Sequence, residues 1–447
     1  MTPLGLVLLV AVPLGAGVAS ALLPRRPANA IAALSLALML VAVLITRSAA
    51  PLLVGETELT LTPIGRLELG YLIALGLALL GYHYLAGRTA PLPALLPPLA
   101  ASVAAGALFT RDLLVAASFL QLAALIAALL MIGELPEWGA SVAGAIYLVL
   151  SALGGMALLF GFVLADVQRL SPGGLVTLPF VVAALTVGLG LQWGAAPLYA
   201  WVPNALQRAG PASTTLAISL IGPATLGLLL QALSARPQLV VDERVNGFLT
   251  MGGLVTAGFG ALAALAPSKP RRALGYLLVS DLGYVLVGMS TYTRIGVAGA
   301  TLHMAHRALV AFLLLAAAHE VERDSLDSTE PPAPYAWGTL LIAVLALCGV
   351  PPLAGFAANW AVLQAASLVD WRLAAGLALI SSVALAAGLA AVGQLRSTYP
   401  FPWRRPRAVE RYLMGVAAVT ALWGLAPGPA LGAIHRAVSE LAFVRPF

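Results

Sequence analysis

Residues 188–211 read GLGLQWGAAPLYAWVPNALQRAGP, an apolar run that is interrupted at Pro197. Residues 348–360, CGVPPLAGFAANW, carry a similar interruption at Pro351 and Pro352, about 155 residues further along the chain. A proline inside a helix removes one backbone hydrogen bond, and within a bilayer the freed carbonyl is tolerated only where protein or water satisfies it. Interrupted helices at corresponding positions of two halves therefore indicate a transport path between structural repeats.

The composition identifies the class of protein. Of the 447 residues, 61% are hydrophobic and only 9% are charged, and the mean hydropathy is +0.96. A soluble domain carries roughly 25% charged residues, whereas nearly every stretch of about 20 residues here is apolar enough to cross a bilayer. We therefore predict an all-α polytopic membrane protein with about 14 transmembrane helices.

Hydropathy places the predicted spans along the whole chain, and the seventh span contains a second interrupting proline, Pro203. The spans are predicted near residues 4–23, 28–46, 66–87, 92–109, 112–132, 139–166, 175–207, 212–234, 245–267, 271–290, 295–320, 335–366, 372–395 and 409–430. A single domain over residues 1–447 is expected, divided into first helices (1–90), a first repeat (92–234), a second repeat (245–395), and a last helix with a short tail (409–447).

Two segments outside the apolar runs carry a local pattern. Alternating Thr and Leu residues in GETELTLTPIGRLE, residues 55–68, predict a small hairpin. The amphipathic tail AIHRAVSELAFVRPF, which begins at Ala433, is expected to lie at the membrane interface or against a partner.

The net charge of +6, from 24 basic and 18 acidic residues, is interpreted as an orientation signal. Loops after odd-numbered spans hold more arginine than loops after even-numbered ones. The positive-inside rule then predicts that both termini face outward from a prokaryotic plasma (inner) membrane. Because no basic patch with interleaved aromatic residues occurs, the expected contact surface is the lipid bilayer and nucleic acid is not an expected partner. The first apolar run lacks a basic start and is expected to be a retained helix.

The sequence contains no signature of soluble-enzyme chemistry. It has no Walker loop, no HExxH, no GxSxG on an α/β pattern and no convincing GxGxxG after a strand. The single cysteine, Cys348, excludes an internal disulfide and any cysteine-based metal or iron–sulfur site within the chain. We therefore expect no cofactor, metal site or catalytic residue in this chain.

Few ionisable residues lie inside the predicted spans, and such residues are functional candidates by default. Asp281 lies in the tenth span, in RRALGYLLVSDLGYVLVG, and three others lie in the eleventh, in TLHMAHRALVAFLLLAAAH. These three, His303, His306 and Arg307, occupy neighbouring positions on one helical face. Two interpretations stay open: a structural ion pair between Asp281 and Arg307, or part of a proton or ion path, for which histidine is chemically suited.

The polar residues beside the two interruptions are neutral. Gln192 and Asn204 flank the first interruption, Asn359 follows the second, and Gln121 lies in the fifth span. Amide side chains hold water and bridge helices, but they do not take up and release a proton at physiological pH. His83, near the end of the third span, is expected to anchor that helix at the membrane interface.

Four stretches resemble the antiporter-like membrane subunits shared by NADH–quinone oxidoreductase (subunits N, M and L), membrane-bound hydrogenases and multisubunit cation/proton antiporters. They are WGAAPLYAWVPNALQRAGPAS, KPRRALGYLLVSDLGYVLVG, HMAHRALVAFLLL and GVPPLAGFAANW, which begin at residues 193, 269, 303 and 349. The resemblance covers nearly the whole chain. It implies two inverted five-helix repeats, each with a broken helix and each supplying a half-channel for protons. It also implies that other membrane subunits of the same complex are partners, and that any redox centre lies in them.

Several positions depart from the residues that the resemblance implies. The family carries an acidic group in the fifth helix, basic groups in the seventh and eighth, and a Lys or Glu in the twelfth. Here those positions fall on Gln121, Gln192, Pro223 and Asn359. Gln121 opposite Gln192 would make a neutral pair that needs no charge compensation, so we expect the first half-channel to be disabled for ordinary proton pumping.

The second half keeps ionisable residues. The resemblance places a family His at His303, the usual eleventh-helix His at Arg307, and a position where His is common at Asp281. Asp281, His303, His306 and Arg307 would form any surviving hydrophilic axis.

We therefore expect an antiporter-like transmembrane subunit of a multisubunit complex, whose energy comes from partner subunits or an ion gradient. Two alternatives stay open. One is the membrane subunit of a proton- or cation-driven inorganic-carbon transporter paired with a soluble zinc protein. The other is a non-conducting structural spacer. Whether the complex also contains a soluble redox or zinc-containing partner therefore stays open.

Overall fold

The computed structural model describes residues 3–45, 52–54, 57–87, 91–108, 112–135, 138–170, 178–266, 269–327, 334–398 and 406–445. Within these ranges the chain is almost entirely helical. The α-helices are α1 (Pro3–Leu22), α2 (Arg25–Ile45), α3 (Pro63–Leu85), α4 (Leu92–Leu108), α5 (Leu113–Gly133), α6 (Trp138–Leu170), α7 (Leu178–Trp193), α8 (Trp201–Arg208), α9 (Pro211–Leu216), α10 (Gly222–Ala235), α11 (Pro237–Val241), α12 (Glu243–Gly247), α13 (Gly253–Ala264), α14 (Pro270–Ser290), α15 (Arg294–Asp327), α16 (Pro334–Leu347), α17 (Ala354–Val369), α18 (Trp371–Thr398), α19 (Ala408–Leu425) and α20 (Gly428–Val438). Two short π-helical segments, Ala217–Ile221 and Phe248–Gly252, precede α10 and α13.

A small hairpin precedes α3. Strand β1 (Leu52–Val54) pairs antiparallel with β2 (Thr57–Leu59), with Leu52 opposite Leu59. The hairpin begins before the predicted segment 55–68 and ends well inside it. It ends there because Thr62 caps α3: its Oγ1 accepts the Gly65 N–H at 3.1 Å, and a proline follows at the first helical position.

Ten helical segments of the described chain are long and apolar enough to cross a membrane. An eleventh is added if α19 and α20, bent by 71°, count as one span. Four shorter apolar helices, α4, α7, α16 and α17, fall below this length. The chain is thus an integral membrane protein, as its composition predicts. The count of 14 spans and the inverted repeats stay predictions. The hydropathy profile is continuous across segments that the structure divides into two helices, so the two counts differ.

The chain divides into two compact units. Unit 1 comprises Met1–Trp193, Leu220–Asn246 and Leu441–Phe443, and unit 2 comprises Gly194–Ser219, Gly247–Glu440 and Val444–Phe447. The predicted division into first helices, two repeats and a last helix stays a prediction.

Unit 1 is held together by close helix approaches at glycines. A Cβ at Gly188 of α7 would lie 2.6 Å from the Leu158 side chain of α6. The absence of a side chain at Gly188 therefore lets Leu158 pack directly on the α7 backbone. The predicted anchor residue His83 is buried in this unit, with only 1% of its surface exposed. His83 is therefore part of the packing of α3, and its neighbour Tyr84 is the exposed residue at that helix end.

Unit 2 is built around α14 and α15. Within their apolar cores, 94% of the α14 residues and 89% of the α15 residues are buried, against 28% for α18 at the edge. A core cluster containing Ala257, Tyr284, Val362 and Leu377 ties α13, α14, α17 and α18 together. Ionisable side chains on α14 and α15 therefore lie in the driest part of this unit.

The two interruptions share one local geometry. After α7, Gly194 has φ +70° and a cis peptide bond precedes Pro197; after α16, Gly349 has φ +72° and a cis peptide bond precedes Pro352. In each case the left-handed residue is a glycine, which lacks the Cβ that disfavours this conformation. Each break therefore contains a left-handed glycine three residues before a proline.

Pro203 does not interrupt a helix. It is the third residue of α8, where the backbone N–H has no intrahelical partner in any case. At the first break, the Ala196 N–H donates to Thr256 Oγ1 of α13 at 3.2 Å. A side chain thus satisfies a backbone group that the interruption releases, as the membrane environment requires.

Candidate functional site

The candidate site is a buried cluster between α14 and α15 in unit 2. The Asp281 carboxylate receives a hydrogen bond from His303 Nε2 at 2.8 Å and lies 3.5 Å from Arg307 Nε, measured from its other oxygen. All three residues are nearly inaccessible, with at most 4% of their surface exposed. One carboxylate therefore pairs at once with an imidazole and a guanidinium, away from solvent.

The surrounding contacts fix the orientation of the cluster. Arg307 Nη2 donates to the Leu278 carbonyl of α14 at 3.0 Å. The His303 ring stacks on Tyr284, with 5.5 Å between ring centres and 15° between planes. The Tyr284 hydroxyl is in turn held by the Leu377 carbonyl at 2.6 Å and by Ser381 Oγ at 2.7 Å, both on α18. These second-layer contacts hold His303 against Asp281 rather than leaving it to rotate.

His306 contacts both the cluster and the backbone beside the second break. Its ring lies edge-on to His303 at 6.1 Å, but its Nε2 donates to the Ala346 carbonyl of α16 at 3.0 Å. Gly355 of α17 lies so close to Ala346 and His306 that a Cβ there would overlap both. His306 thus joins the cluster to the backbone just before the interruption.

Asn359 reaches the same region from α17. Asp281, Tyr284, Ser381, Cys348 and Asn359 are among the residues that line a cavity of about 10 Å³, close to the ~10–15 Å³ that one water molecule requires. Among the described residues, the buried Asn359 Oδ1 has no hydrogen-bond partner. The cavity therefore places an amide oxygen and the Asp281 carboxylate on one small polar space.

The glutamines that sequence reasoning singled out lie in unit 1, on either side of α6. Gln192 Nε2 donates to the Ser151 carbonyl at 3.1 Å. Gln121 presses against Gly155 so closely that a Cβ at that glycine would overlap its amide. Both amides therefore pack against neighbouring turns of one helix, and neither can carry a charge.

Pro223, the fourth neutral position, lies buried in the first turn of α10. The carbonyl of the preceding residue, Gly222, accepts a hydrogen bond from Trp193 Nε1 at 3.0 Å. The Trp193 indole therefore contacts the residue beside this position, and the position itself is a proline, which is not ionisable.

Several ionic contacts in the described chain escaped sequence reasoning. Arg407 bridges two fully buried carboxylates, donating to Glu320 at 3.3 Å and to Glu410 at 3.1 Å. In unit 1, Arg236 pairs with Asp166 at 2.8 Å. The Arg407–Glu410 spacing of three residues is a local signal, whereas Arg236–Asp166 and Arg407–Glu320 join residues that are 70 and 87 positions apart.

A metal site finds no support in the described residues. No group of three or more His, Cys, Asp or Glu side chains among them could hold a metal ion.

The family comparison agrees with this architecture. Residues 110–385 match the family described as NADH:quinone oxidoreductase/Mrp antiporter, TM, which covers α5 to α17 and part of α18 and hence the whole cluster. The chain belongs to this family.

Curated members of this family are similar to this chain over part of their length. The chain is 30% identical over 272 residues to NADH-quinone oxidoreductase subunit N of Thioalkalivibrio sulfidiphilus, covering 55% of each protein. It is 25% identical to subunit N of Rhodospirillum rubrum over 67% of each protein. It is 29% identical to a Na(+)/H(+) antiporter subunit of Alkalihalophilus pseudofirmus, over 45% of this chain and 41% of that one. The chain thus matches little more than half the length of the first of these curated relatives.

Solved structures share the antiporter fold along the whole chain. A chain of the Mrp complex from Dietzia sp. DQ12-45-1b superposes with a TM-score of 0.85 at 20% identity, covering 98% of this chain and 97% of that one. A chain of the membrane-bound sulfane sulfur reductase, an archaeal respiratory membrane complex, gives 0.83 at 19% identity over 98% and 97%. A chain of respiratory complex I from Thermus thermophilus gives 0.76 at 20% identity over 96% and 99%. At these identities the likeness shows the fold alone.

Proposed function

We propose that this chain is the antiporter-like transmembrane subunit of a multisubunit complex in a prokaryotic plasma membrane, and that its unit 2 relays protons. One observation carries the proposal. Asp281 and His303 form a hydrogen-bonded acid–base pair inside the most buried helices of the unit, with Arg307 beside the carboxylate. A carboxylate and an imidazole are the side chains best suited to exchange a proton.

The geometry supports a definite order of proton transfer. His303 Nε2 holds the proton that it donates to Asp281 Oδ1, and the buried Nδ1 has no partner among the described residues. A proton that arrives at Nδ1 therefore releases the Nε2 proton to Asp281, and the imidazole does not have to leave its stack with Tyr284. The small cavity shared with Asn359 then provides a place where one water molecule takes the proton from the protonated Asp281 carboxyl group and so restores the carboxylate.

Arg307 and His306 are positioning residues in this scheme. Arg307 offsets the negative charge of Asp281, which would be costly if it were left unpaired in a dry interior. His306 connects the cluster to the Ala346 carbonyl at the second break. Both therefore act through Asp281 and His303 and hold no transferred proton themselves.

The proposed architecture has 14 spans in two inverted repeats. That number follows if each interrupted pair (α7 with α8, α16 with α17) and the bent pair α19 with α20 count as one span each, and the shorter apolar helix α4 counts as another. The common glycine–proline geometry of the two breaks supports the repeats. We further propose that both termini face outward, as the arginine distribution indicates.

The proposed partners are other membrane subunits of the same assembly. The relatives are named as subunits of a quinone oxidoreductase or of a cation/proton antiporter, and the structures with this fold are chains of complexes. We propose that the driving force comes from such partners or from an ion gradient, and that this chain carries no redox cofactor.

A second candidate, a non-conducting spacer, is favoured by the neutral amides of unit 1. Gln192 donates a hydrogen bond to α6 and Gln121 packs against Gly155 of the same helix, and neither side chain carries a charge. If unit 2 were equally inert, Asp281 and Arg307 would act only as a structural ion pair between α14 and α15.

Proton uptake into membrane vesicles separates these functions. Asp281→Asn combined with Arg307→Leu removes both charges at once, and we expect uptake to be lost while the complex stays assembled. The exposed Asp370→Asn is the matched control and is expected to leave uptake unchanged. Unchanged uptake in the assembled double variant would contradict the relay and support the spacer.

Purification at native abundance tests the assembly. We expect co-purification of further membrane subunits of an oxidoreductase, hydrogenase or cation/proton antiporter. Recovery of a carbonic-anhydrase-like zinc protein as the sole partner would instead support an inorganic-carbon transporter.

A further inference from the structure

A second membrane-embedded acid lies in unit 1, far along the chain from the proposed relay. Glu68 is the sixth residue of α3, one of the helices apolar enough to cross a membrane, and it is the only acidic residue of that helix. At 1.5 Å per residue it lies about 8 Å beyond the start of the helix. Glu68 is half-buried in the protein, and the relay in unit 2 does not use it.

Glu68 faces a cavity of about 20 Å³ that α3, α4, α5 and α10 enclose. That volume is enough for one water molecule, which requires ~10–15 Å³. Apart from Glu68 and Gln231, every side chain lining the cavity is apolar or absent. A carboxyl group here meets hydrocarbon, one amide and room for a single water.

The opposite wall of this cavity is shaped to admit the carboxyl group. A Cβ at Gly227 of α10 would overlap Glu68 Oε2, so any larger residue would push the carboxyl group out. Gln231 lies one helical turn further along α10, on the same face. Its buried Oε1 has no hydrogen-bond partner among the described residues. The amide oxygen in that place can accept a hydrogen bond from a protonated carboxyl group.

Among the residues that the structure describes, the helices lining this cavity offer Glu68 no basic partner. The sequences of α4, α5 and α10 contain no ionisable side chain. Asp112, which precedes α5, is itself an acid and accepts the Val115 N–H at 3.1 Å. Arg236, which follows α10, pairs with Asp166.

The described charged residues of α2, of the hairpin and of α3 itself are also not placed to pair with a Glu68 carboxylate. Arg66 points about 200° away from Glu68 around α3, by helical geometry. The charges of α2, Arg25 and Arg26, lie at the far end of α3, where Arg25 donates to the Tyr84 carbonyl. The hairpin contributes another acid, Glu58. An unpaired carboxylate in such surroundings is costly, so the group is expected to bind a neutralising ion.

We infer that Glu68 is a proton-binding site, with the carboxyl proton shared between Gln231 and one water molecule in the cavity. The proton comes from water and returns to water, so no other reactant is needed. The site stands apart from the Asp281 relay and gives unit 1 an ionisable group where Gln121 and Gln192 provide none.

Carbodiimide labelling tests this site without any transport assay. N,N′-dicyclohexylcarbodiimide reacts with protonated carboxyl groups in apolar surroundings, and the adducts are mapped by mass spectrometry on the full chain in liposomes. From about pH 5 to about pH 9, a range that lies wholly above the reference pKa of a glutamate, about 4.3, we expect Glu68 to be labelled at the acidic end. Labelling should fall as the pH rises, and Glu68→Gln should abolish it.

Two comparisons make the result specific. Exposed Glu440 should stay nearly unlabelled, because its surroundings are aqueous. Gly227→Ala should reduce Glu68 labelling by displacing the carboxyl group, whereas Gly133→Ala, which has no neighbouring atom within 4 Å of its added Cβ, should not. A monodisperse elution profile confirms that each variant is folded.

Two results would overturn the inference. One is equal labelling of Glu68 and Glu440 at every pH. The other is protection of Glu68 by sodium chloride, compared with choline chloride at the same ionic strength, which would assign the site to a metal cation instead of a proton. Because labelling needs no partner subunit, failure of the proposed relay would not affect either outcome.

Discussion

In unit 1, Gln192 donates to a backbone carbonyl of α6 and Gln121 packs on a glycine of the same helix, whereas in unit 2 Asp281 holds His303 at 2.8 Å and Arg307 at 3.5 Å. Both groups are buried in helix bundles of the same family fold. An uncharged amide costs less to bury than an unpaired charge, because it carries no net charge that needs a counter-charge. The carboxylate stays buried only because a cation and a donor surround it. The comparison teaches that unit 1 buries neutral amides at these positions, whereas unit 2 buries a carboxylate together with an imidazole and a guanidinium.

The largest expected effect is on the charged cluster. Asp281→Asn leaves Arg307 buried without its counter-charge, which should cost about 3–5 kcal/mol of unfolding free energy. Arg307→Gln should cost a similar amount for the converse reason. Chemical unfolding in detergent micelles measures both. The double variant should lose clearly less than the sum of the two, and strict additivity would contradict the ion pair.

The next effect concerns the glycines at the two breaks. Gly194→Ala and Gly349→Ala place a side chain at φ +70° and +72°, which costs roughly 1–2 kcal/mol each before any steric overlap. The added Cβ would also overlap Asn359 at Gly349 and lie 2.5 Å from Val202 at Gly194. Unfolding measured against Gly133→Ala should show comparable losses at both breaks. A loss at only one would contradict their common geometry.

A smaller effect is expected for the neutral pair. Gln192→Leu removes the hydrogen bond to the Ser151 carbonyl, whose net contribution to stability is about 1 kcal/mol. The Ser151 carbonyl keeps its place in α6, so no charge is left unpaired. Thermal unfolding of the purified chain should register this small loss. A loss as large as that of Asp281→Asn would contradict the distinction between the two units.

The smallest effect is expected where a charge pair is only partly buried. Arg271 and Glu322 lie 3.1 Å apart with 13% and 22% of their side chains exposed. Arg271→Gln should therefore cost less than Arg307→Gln, since the remaining Glu322 carboxylate keeps partial contact with solvent. The same unfolding assay compares it with Arg307→Gln. Equal losses would show that burial does not set the cost of breaking a pair.

Local patterns in the sequence were enough to predict the membrane class, both interruptions and the pairing of Asp281 with the eleventh predicted span. Proline, glycine and the scarcity of charge report directly on those features. The link from His306 to the Ala346 carbonyl spans 40 residues and has no local signal. The Glu320–Arg407 contact spans 87 residues, and Glu320 reads as the start of an acidic loop although it is buried.

Glu68 was missed for a different reason. It stands at the edge of a segment whose Thr and Leu residues predict a hairpin, so it reads as part of a solvated loop. The structure ends the hairpin at Leu59 and starts α3 at Pro63, which carries Glu68 into the helix. The predicted third span, residues 66–87, already contained Glu68, but its overlap with the predicted hairpin segment kept this carboxyl group from standing out as a buried candidate.

Proton flux into liposomes that hold the assembled complex tests the central claim most directly, with His303→Gln and Gln192→Leu measured side by side. His303→Gln adds no unpaired charge, so its assembly can be checked without a large loss of stability. The account predicts that His303→Gln abolishes the flux and that Gln192→Leu leaves it unchanged. Flux that survives His303→Gln but is lost in Gln192→Leu would contradict the assignment of the relay to unit 2.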